Sequence, residues 1–363
     1  MVTLHKKSVL ALWMSMFMLS ACGSGSGGEG STQNDSVTTD VSSTSSGSAT
    51  QADNSGTVGS DNGSGTGDSG SEGSETGLET DNGTAVTSGS TDGVLCDYFY
   101  SEFNDSASVQ MTSNADWSCT GTSRQLTANG IPDHETGTFP NPGNPNTISE
   151  TAVSVSYTLT PEQTDTVSTL GGPRGATGYV LNGVKIDANT AGSCDDSGNS
   201  CSLVGNTGNW HIEALGQTSF DFGTDDNNAH VQPNGAYHYH GMPEGFIALR
   251  GGDNTSMTLI GWAADGFPIY ARYGYSDAQD ATSSLKAMTG SYQLVEDISS
   301  NRPSTSVYAL GTFAQDWEYV AGSGDLDECN GRYGVTPEFP QGIYHYYATD
   351  TYPYFQRCVK GQL

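Results

Sequence analysis

Positive charge is what this chain has least of. Its 363 residues include 12 lysines and arginines against 41 aspartates and glutamates, a formal net charge of −29. So few cations cannot displace counterions from a phosphate backbone, which excludes nucleic acid as a partner. The same sign disfavours direct adhesion to anionic lipid. Long apolar runs are also scarce. The stretch from Val9 to Leu19 is almost wholly apolar, yet too short for a permanent membrane-spanning helix. There is no Cys-x-x-Cys pair, which argues against a cysteine-ligated zinc. His-Glu-x-x-His, Gly-x-Ser-x-Gly and the phosphate-binding Gly-Lys pattern do not occur, and dinucleotide-type glycine spacing is confined to low-complexity sequence. The usual signatures of hydrolases and nucleotide enzymes are therefore missing.

What is present divides the chain into three parts. Lys6 and Lys7 precede the apolar stretch, and Leu19-Ser20-Ala21-Cys22 closes it with small residues, the layout of a secretion signal. Leu-Ser-Ala-Cys resembles the lipobox of bacterial lipoproteins. That resemblance implies that residues 1–21 are removed and that Cys22 is acylated, holding the protein to the cell envelope. Gly23, in place of an aspartate, points to the outer membrane. The alternative is an ordinary signal cut near Ala21. Residues 22–93 are Ser, Gly, Thr, Asp and Asn with a few acids and no Lys or Arg. Such a segment buries too little apolar surface to offset chain entropy and reads as a disordered, flexible tether. At Val94 the composition turns aromatic and apolar, so residues 94–363 are assigned to one folded domain.

Beyond Cys22 the cysteines are Cys96, Cys119, Cys194, Cys201, Cys329 and Cys358. An even set in an exported chain implies disulfides. Nearness in sequence suggests Cys96–Cys119, Cys194–Cys201 and Cys329–Cys358, with other pairings open. Short runs separated by Gly, Pro, Asn and Asp dominate, and residues 152–159 alternate as a half-buried strand does. Asn182-Gly183 between Gly178-Tyr179-Val180-Leu181 and Val184-Lys185-Ile186 is a hairpin signal. Glu213-Ala214-Leu215 suits a single helical turn. The fold class expected is mainly β, a sandwich-like pair of sheets with long loops.

The chemistry centres on residues 233–243, Pro-Asn-Gly-Ala-Tyr-His-Tyr-His-Gly-Met-Pro. Turn formers bracket a tyrosine-rich run that reads as a strand. Alternate side chains share a face, so His238 and His240 lie together, roughly 6–7 Å apart along the pleat, and can converge on one ion. His230, beyond an Asp225-Asp226-Asn227-Asn228 loop, is the candidate third ligand. Three imidazoles suit copper or zinc, bound in their neutral form, so affinity falls below about pH 6.5. Asp265, in an Asp-Gly turn, is a candidate to complete or orient the shell. His134, His211 and His345 have weaker cases. Asp325, Asp327, Glu328 and Asn330 form an oxygen-rich loop of the kind calcium uses, without EF-hand spacing. A bland reading stands beside all of these, in which the histidines simply bond backbone and carboxylate groups.

The same run resembles the signature of the YHYH family. Residues 261–270, Gly-Trp-Ala-Ala-Asp-Gly-Phe-Pro-Ile-Tyr, resemble a second family block, and residues 326–331, 336–340 and 349–354 a third. The resemblance implies a domain type and leaves the chemistry to the residues. Residues 233–240 also echo in residues 340–347, Pro-Gln-Gly-Ile-Tyr-His-Tyr-Tyr, with the last histidine replaced by tyrosine. Two such strands suit neighbouring places in one sheet, from duplication or from convergent turn-and-strand chemistry. Tyr237, Tyr239, Trp262, Phe267, Tyr270, Tyr344, Tyr346, Tyr352 and Tyr354 crowd these blocks. Exposed, they would stack on glycans or grip a protein partner; buried, they are core.

Overall fold

The computed structural model describes residues 95–363. The expected signal segment, Cys22 and the expected tether lie outside them. Strands β1 (Tyr98–Asn104), β2 (Met111–Thr120), β3 (Ser123–Ala128) and β4 (Val153–Thr158) form an antiparallel meander. Strand β5 (Gln163–Thr169) follows and pairs with the last strand, which contains Cys358–Gly361. A hairpin of β6 (Gly178–Val180) and β7 (Lys185–Ile186) comes next, then three short strands, β8 (Ser193–Cys194), β9 (Cys201–Ser202) and β10 (Trp210–His211). Strands β11 (Ala229–Val231) and β12 (Tyr237–Tyr239) precede the one α-helix among the described residues, α1 (Glu244–Leu249). After it come β13 (Thr258–Ala263) and β14 (Pro268–Ala271). Two small antiparallel strand pairs lead on to a closing pair, Gly331–Gly334 and Ile343–Ala348.

The second sheet has eight strands, in the order β11, β12, β7, β6, β13, β14, then Ile343–Ala348 and Gly331–Gly334. One hydrophobic cluster takes Ala115, Trp117 and Leu126 from the first sheet and Val180, Ile186, Ile260, Trp262 and Ile269 from the second. Trp117 Nε1 donates to the Leu181 carbonyl at 2.9 Å, and the Arg124 guanidinium lies 3.3 Å from the Trp262 ring centre. The fold is thus mainly β and sandwich-like, as its period-two patterns indicate. The three disulfides join neighbours in sequence, Cys96–Cys119, Cys194–Cys201 and Cys329–Cys358.

The hairpin at Asn182-Gly183 forms, with Gly183 at φ 79°, a left-handed conformation that glycine adopts without steric cost. Glu213–Leu215 is not helical: Glu213 instead points its carboxylate at Arg357, at 2.7 Å, and its N–H donates to Thr312. Burial of that ion pair and tertiary backbone pairing override a weak local preference. The helix lies at Glu244–Leu249, where Phe246 and Ile247 are buried.

The sheet is a duplication in space. Its central pair, β6 and β13, is antiparallel, with Tyr179 opposite Trp262. To either side stands a hairpin, 178–186 and 261–269, flanked by a parallel neighbour: β12 beside β7, and Ile343–Ala348 beside β14. The registers agree, Tyr239 facing Ile186 in one half and Tyr346 facing Ile269 in the other. The turns before the outer strands agree as well. Tyr237 Oη donates to Asp225 at 2.7 Å, and Tyr344 Oη donates to Asp327 at 2.9 Å. Asn228 and Asn330 both have positive φ, 54° and 60°. The two echoed strands are therefore not neighbours, as the sequence suggests, but counterparts with four strands between them. The matched registers, tyrosine–aspartate bonds and left-handed asparagines favour duplication over convergence.

Candidate metal centre

His230 and His238 are directly opposed across the antiparallel β11–β12 pair, so their side chains leave the same face. His240 follows two residues later and joins them, as alternation along the strand requires. The three Nε2 atoms converge: His240 Nε2 is 3.0 Å from His230 Nε2 and 3.0 Å from His238 Nε2. One ligand atom from each lies within 4.8 Å of the other two. His238 and His240 are buried, and His230 is half-buried.

Proton positions follow from the neighbours. His230 Nδ1 is 2.8 Å from the Phe222 carbonyl, and His238 Nδ1 is 3.2 Å from the Ala236 carbonyl. A carbonyl only accepts, so each Nδ1 carries the hydrogen and each Nε2 presents a lone pair. A proton on His240 Nε2 satisfies one of the two facing lone pairs but not both. A cation shared by the three satisfies all of them, and carbonyl-held imidazoles are the usual outer support of such ligands. Burial lowers the pKa of all three below the ordinary imidazole value, and mutual repulsion pushes His238 and His240 down further. The neutral, metal-binding form consequently persists below pH 6.5, deeper into acid than an unperturbed imidazole allows.

The other half of the sheet supplies an internal control. There, Arg332 stands opposite His345, as His230 stands opposite His238. His345 keeps the same backbone bond, Nδ1 to the Ile343 carbonyl at 2.9 Å. Its Nε2, however, accepts from Tyr347 Oη at 2.9 Å, and Arg332 Nη2 lies 3.3 Å from that oxygen. Burial lowers the His345 pKa to about 3. This centre is closed by its own hydroxyl and guanidinium; its counterpart leaves three imidazole nitrogens aimed at one another.

Asp265 does not join the triad, which corrects the expectation placed on it. Its carboxylate accepts from Tyr346 Oη at 2.6 Å and from the Gly361 N–H at 2.8 Å. In the first half Asn182 holds the equivalent turn and donates to Tyr239 Oη at 3.0 Å. Asp265 is thus a hairpin brace, tied to the tyrosine of the adjoining strand. The calcium expectation is also corrected. Lys360 pairs with Asp327 and Glu328, Lys286 pairs with Asp325, and Asn330 donates to the Tyr347 carbonyl. Asp327 further accepts from the Cys329 and Gly331 N–H groups, so its oxygens are committed to a turn.

His134 is scaffold: its Nδ1 faces the Glu135 carbonyl at 2.8 Å and its Nε2 faces Tyr239 Oη at 2.6 Å. His211 lies on β10, apart from the triad, in a smaller cleft with Arg174 and Arg357. The aromatic residues of the motif blocks are buried, apart from half-buried Tyr354, and offer no exposed stacking platform. Sequence reasoning did not find Asp187, which is buried one residue beyond β7 and bonds to Lys185 Nζ at 3.0 Å. Asp187 and the triad line a single cleft of about 730 Å³. Nothing local in Lys185-Ile186-Asp187 signals that the parallel β7–β12 pairing would bring it there.

The molecule is a disulfide-bonded, mainly β protein with a histidine cluster opening into a ligand-sized cleft. The family model described as YHYH protein matches residues 154–361, and the chain belongs to the YHYH family. The match spans the whole eight-stranded sheet and takes in only the last strand of the meander. No curated protein and no solved structure matches the chain.

Proposed function

We propose that this protein is an exported, lipid-anchored binder of a divalent transition metal, held by His230, His238 and His240. The observation that supports it most is the contrast between the two halves of the sheet. Where the repeat serves only as scaffold, Tyr347 and Arg332 occupy the space and satisfy His345. Where it carries three histidines, the Nε2 lone pairs have no comparable partner among the described residues. Copper and zinc suit three imidazole nitrogens, which leave a position for one more ligand. Metal analysis of protein prepared without an affinity tag is the test. One equivalent is expected in the natural chain and almost none in His238→Ala/His240→Ala; equal metal content in both ends the proposal.

Export and anchoring rest on the amino-terminal sequence, Lys6-Lys7, the apolar stretch and Leu19-Ser20-Ala21-Cys22. Acylation of Cys22 would place the acidic domain on a tether at the envelope, with the lipid supplying the membrane affinity that its charge denies it. Cys22→Ser is expected to move the protein from the membrane fraction to the soluble fraction. A variant that stays with the membrane would show that something other than acylation holds it there.

A further inference from the structure

The cleft over the triad has a distinct chemistry. Its volume is about 730 Å³, within the range that holds a small organic molecule. The three histidines form part of its lining, together with the apolar side chains of Phe222, Leu203 and Val204. Val204 is 62% exposed, a large apolar group left in water at a cleft wall. Further lining comes from carboxamides, among them Asn146, Asn206 and Asn234. No lysine or arginine lines it. The one carboxylate in the lining is Asp187, already engaged by the Gly172 N–H, Lys185 Nζ and Gln232 Nε2. The cationic groups Arg174 and Arg357 line the smaller neighbouring cleft, which shares Asn189, Thr190 and Asn206 with this one.

We infer that the cleft takes a small neutral molecule with one nitrogen or oxygen donor on a flat apolar body. The donor completes the coordination of a metal on the triad, and the body lies against Phe222, Leu203 and Val204. Carboxamides at the wall can hydrogen-bond neutral polar groups without demanding charge. The one lining carboxylate, Asp187, is already neutralised by Lys185, so the walls carry no free charge and give an anionic ligand no attraction of their own. This inference rests on the metal reading and deepens it from an ion site to a ligand site.

The test uses the full chain loaded with cobalt(II), whose visible absorption responds to a change of ligand. Imidazole, phenylimidazole and benzoate are titrated in turn. Phenylimidazole is expected to bind about tenfold or more tighter than imidazole, the gain from burying one aromatic ring. Benzoate is expected to bind more weakly than either. Val204→Arg is expected to lower phenylimidazole affinity by about tenfold or more, towards that of imidazole. Equal affinities in the natural chain, or tighter binding of benzoate, overturn the ligand class and leave the metal reading standing. Failure to take up cobalt, or equal uptake by His238→Ala/His240→Ala, overturns both.

Discussion

Saturating copper or zinc is expected to stabilise the natural chain against unfolding by about 4 kcal/mol at roughly a thousandfold excess over its Kd. The gain would arise because a metal on the triad would bind the folded state, where strand pairing has already brought His230 opposite His238. The unfolded chain spreads the same imidazoles apart and binds far more weakly. Removing even an outer support of a metal ligand costs about 10–100-fold in affinity, so removing a ligand itself costs at least that. His238→Ala should therefore lose about 1.4–2.7 kcal/mol or more of the metal-dependent gain, and His238→Ala/His240→Ala nearly all of it. Denaturant unfolding of tag-free protein, with chelator and with metal, measures the difference directly.

His345→Ala is the matched control for this experiment. It removes a buried imidazole from the equivalent place in the other half, where Tyr347 already supplies a partner. Baseline stability should fall through a cavity and an unpaired hydroxyl. The increment added by metal should not change. A metal increment that survives in His238→Ala/His240→Ala, or that disappears in His345→Ala, would place the ion elsewhere.

Replacing Arg302 is expected to destabilise the protein by about 3–5 kcal/mol. Its guanidinium meets Asp316 at 2.6 and 2.7 Å, and both side chains are 1% exposed. It also donates to the carbonyls of Pro303, Tyr308 and Ala309, while Asp316 accepts from the N–H groups of Gly311 and Phe313. Arg302→Leu leaves a buried carboxylate with no countercharge and three carbonyls with one donor fewer each. Breaking one side of such a pair costs more than the pair contributes, because the stranded charge keeps its desolvation penalty. The cluster at risk contains Phe313, Trp210 and Phe222, and Phe222 also lines the cleft. Urea unfolding of Arg302→Leu beside the natural chain checks the magnitude. A loss below about 1 kcal/mol, the range of exposed pairs, would mean that water reaches the site.

Sequence was most legible where interactions are short in range. Alternation places His238 and His240 on one face whatever else the chain does. Gly183 marks its hairpin because a left-handed φ is a property of one residue. The cysteines beyond Cys22 are joined in consecutive pairs, 23, 7 and 29 residues apart. The family blocks are strings of adjacent residues, and residues 154–361 match as such. Legibility failed where a weak local preference met a stronger distant partner. Glu213 is drawn to Arg357 instead of starting a helix, and Asp265 is drawn to Tyr346 instead of a metal.

By itself, then, the sequence determined a mainly β chain, its hairpins, and a strand with two imidazoles side by side. Only the tertiary structure decided that His230 completes the set, that Asp187 and a cleft adjoin it, and that the echoed strand is a closed counterpart. The reason is register. Side-chain alternation is fixed by the backbone of one strand, whereas the residue that stands opposite is fixed by pairing between distant segments. That pairing is settled by the core both sheets bury, and no window of adjacent residues contains it.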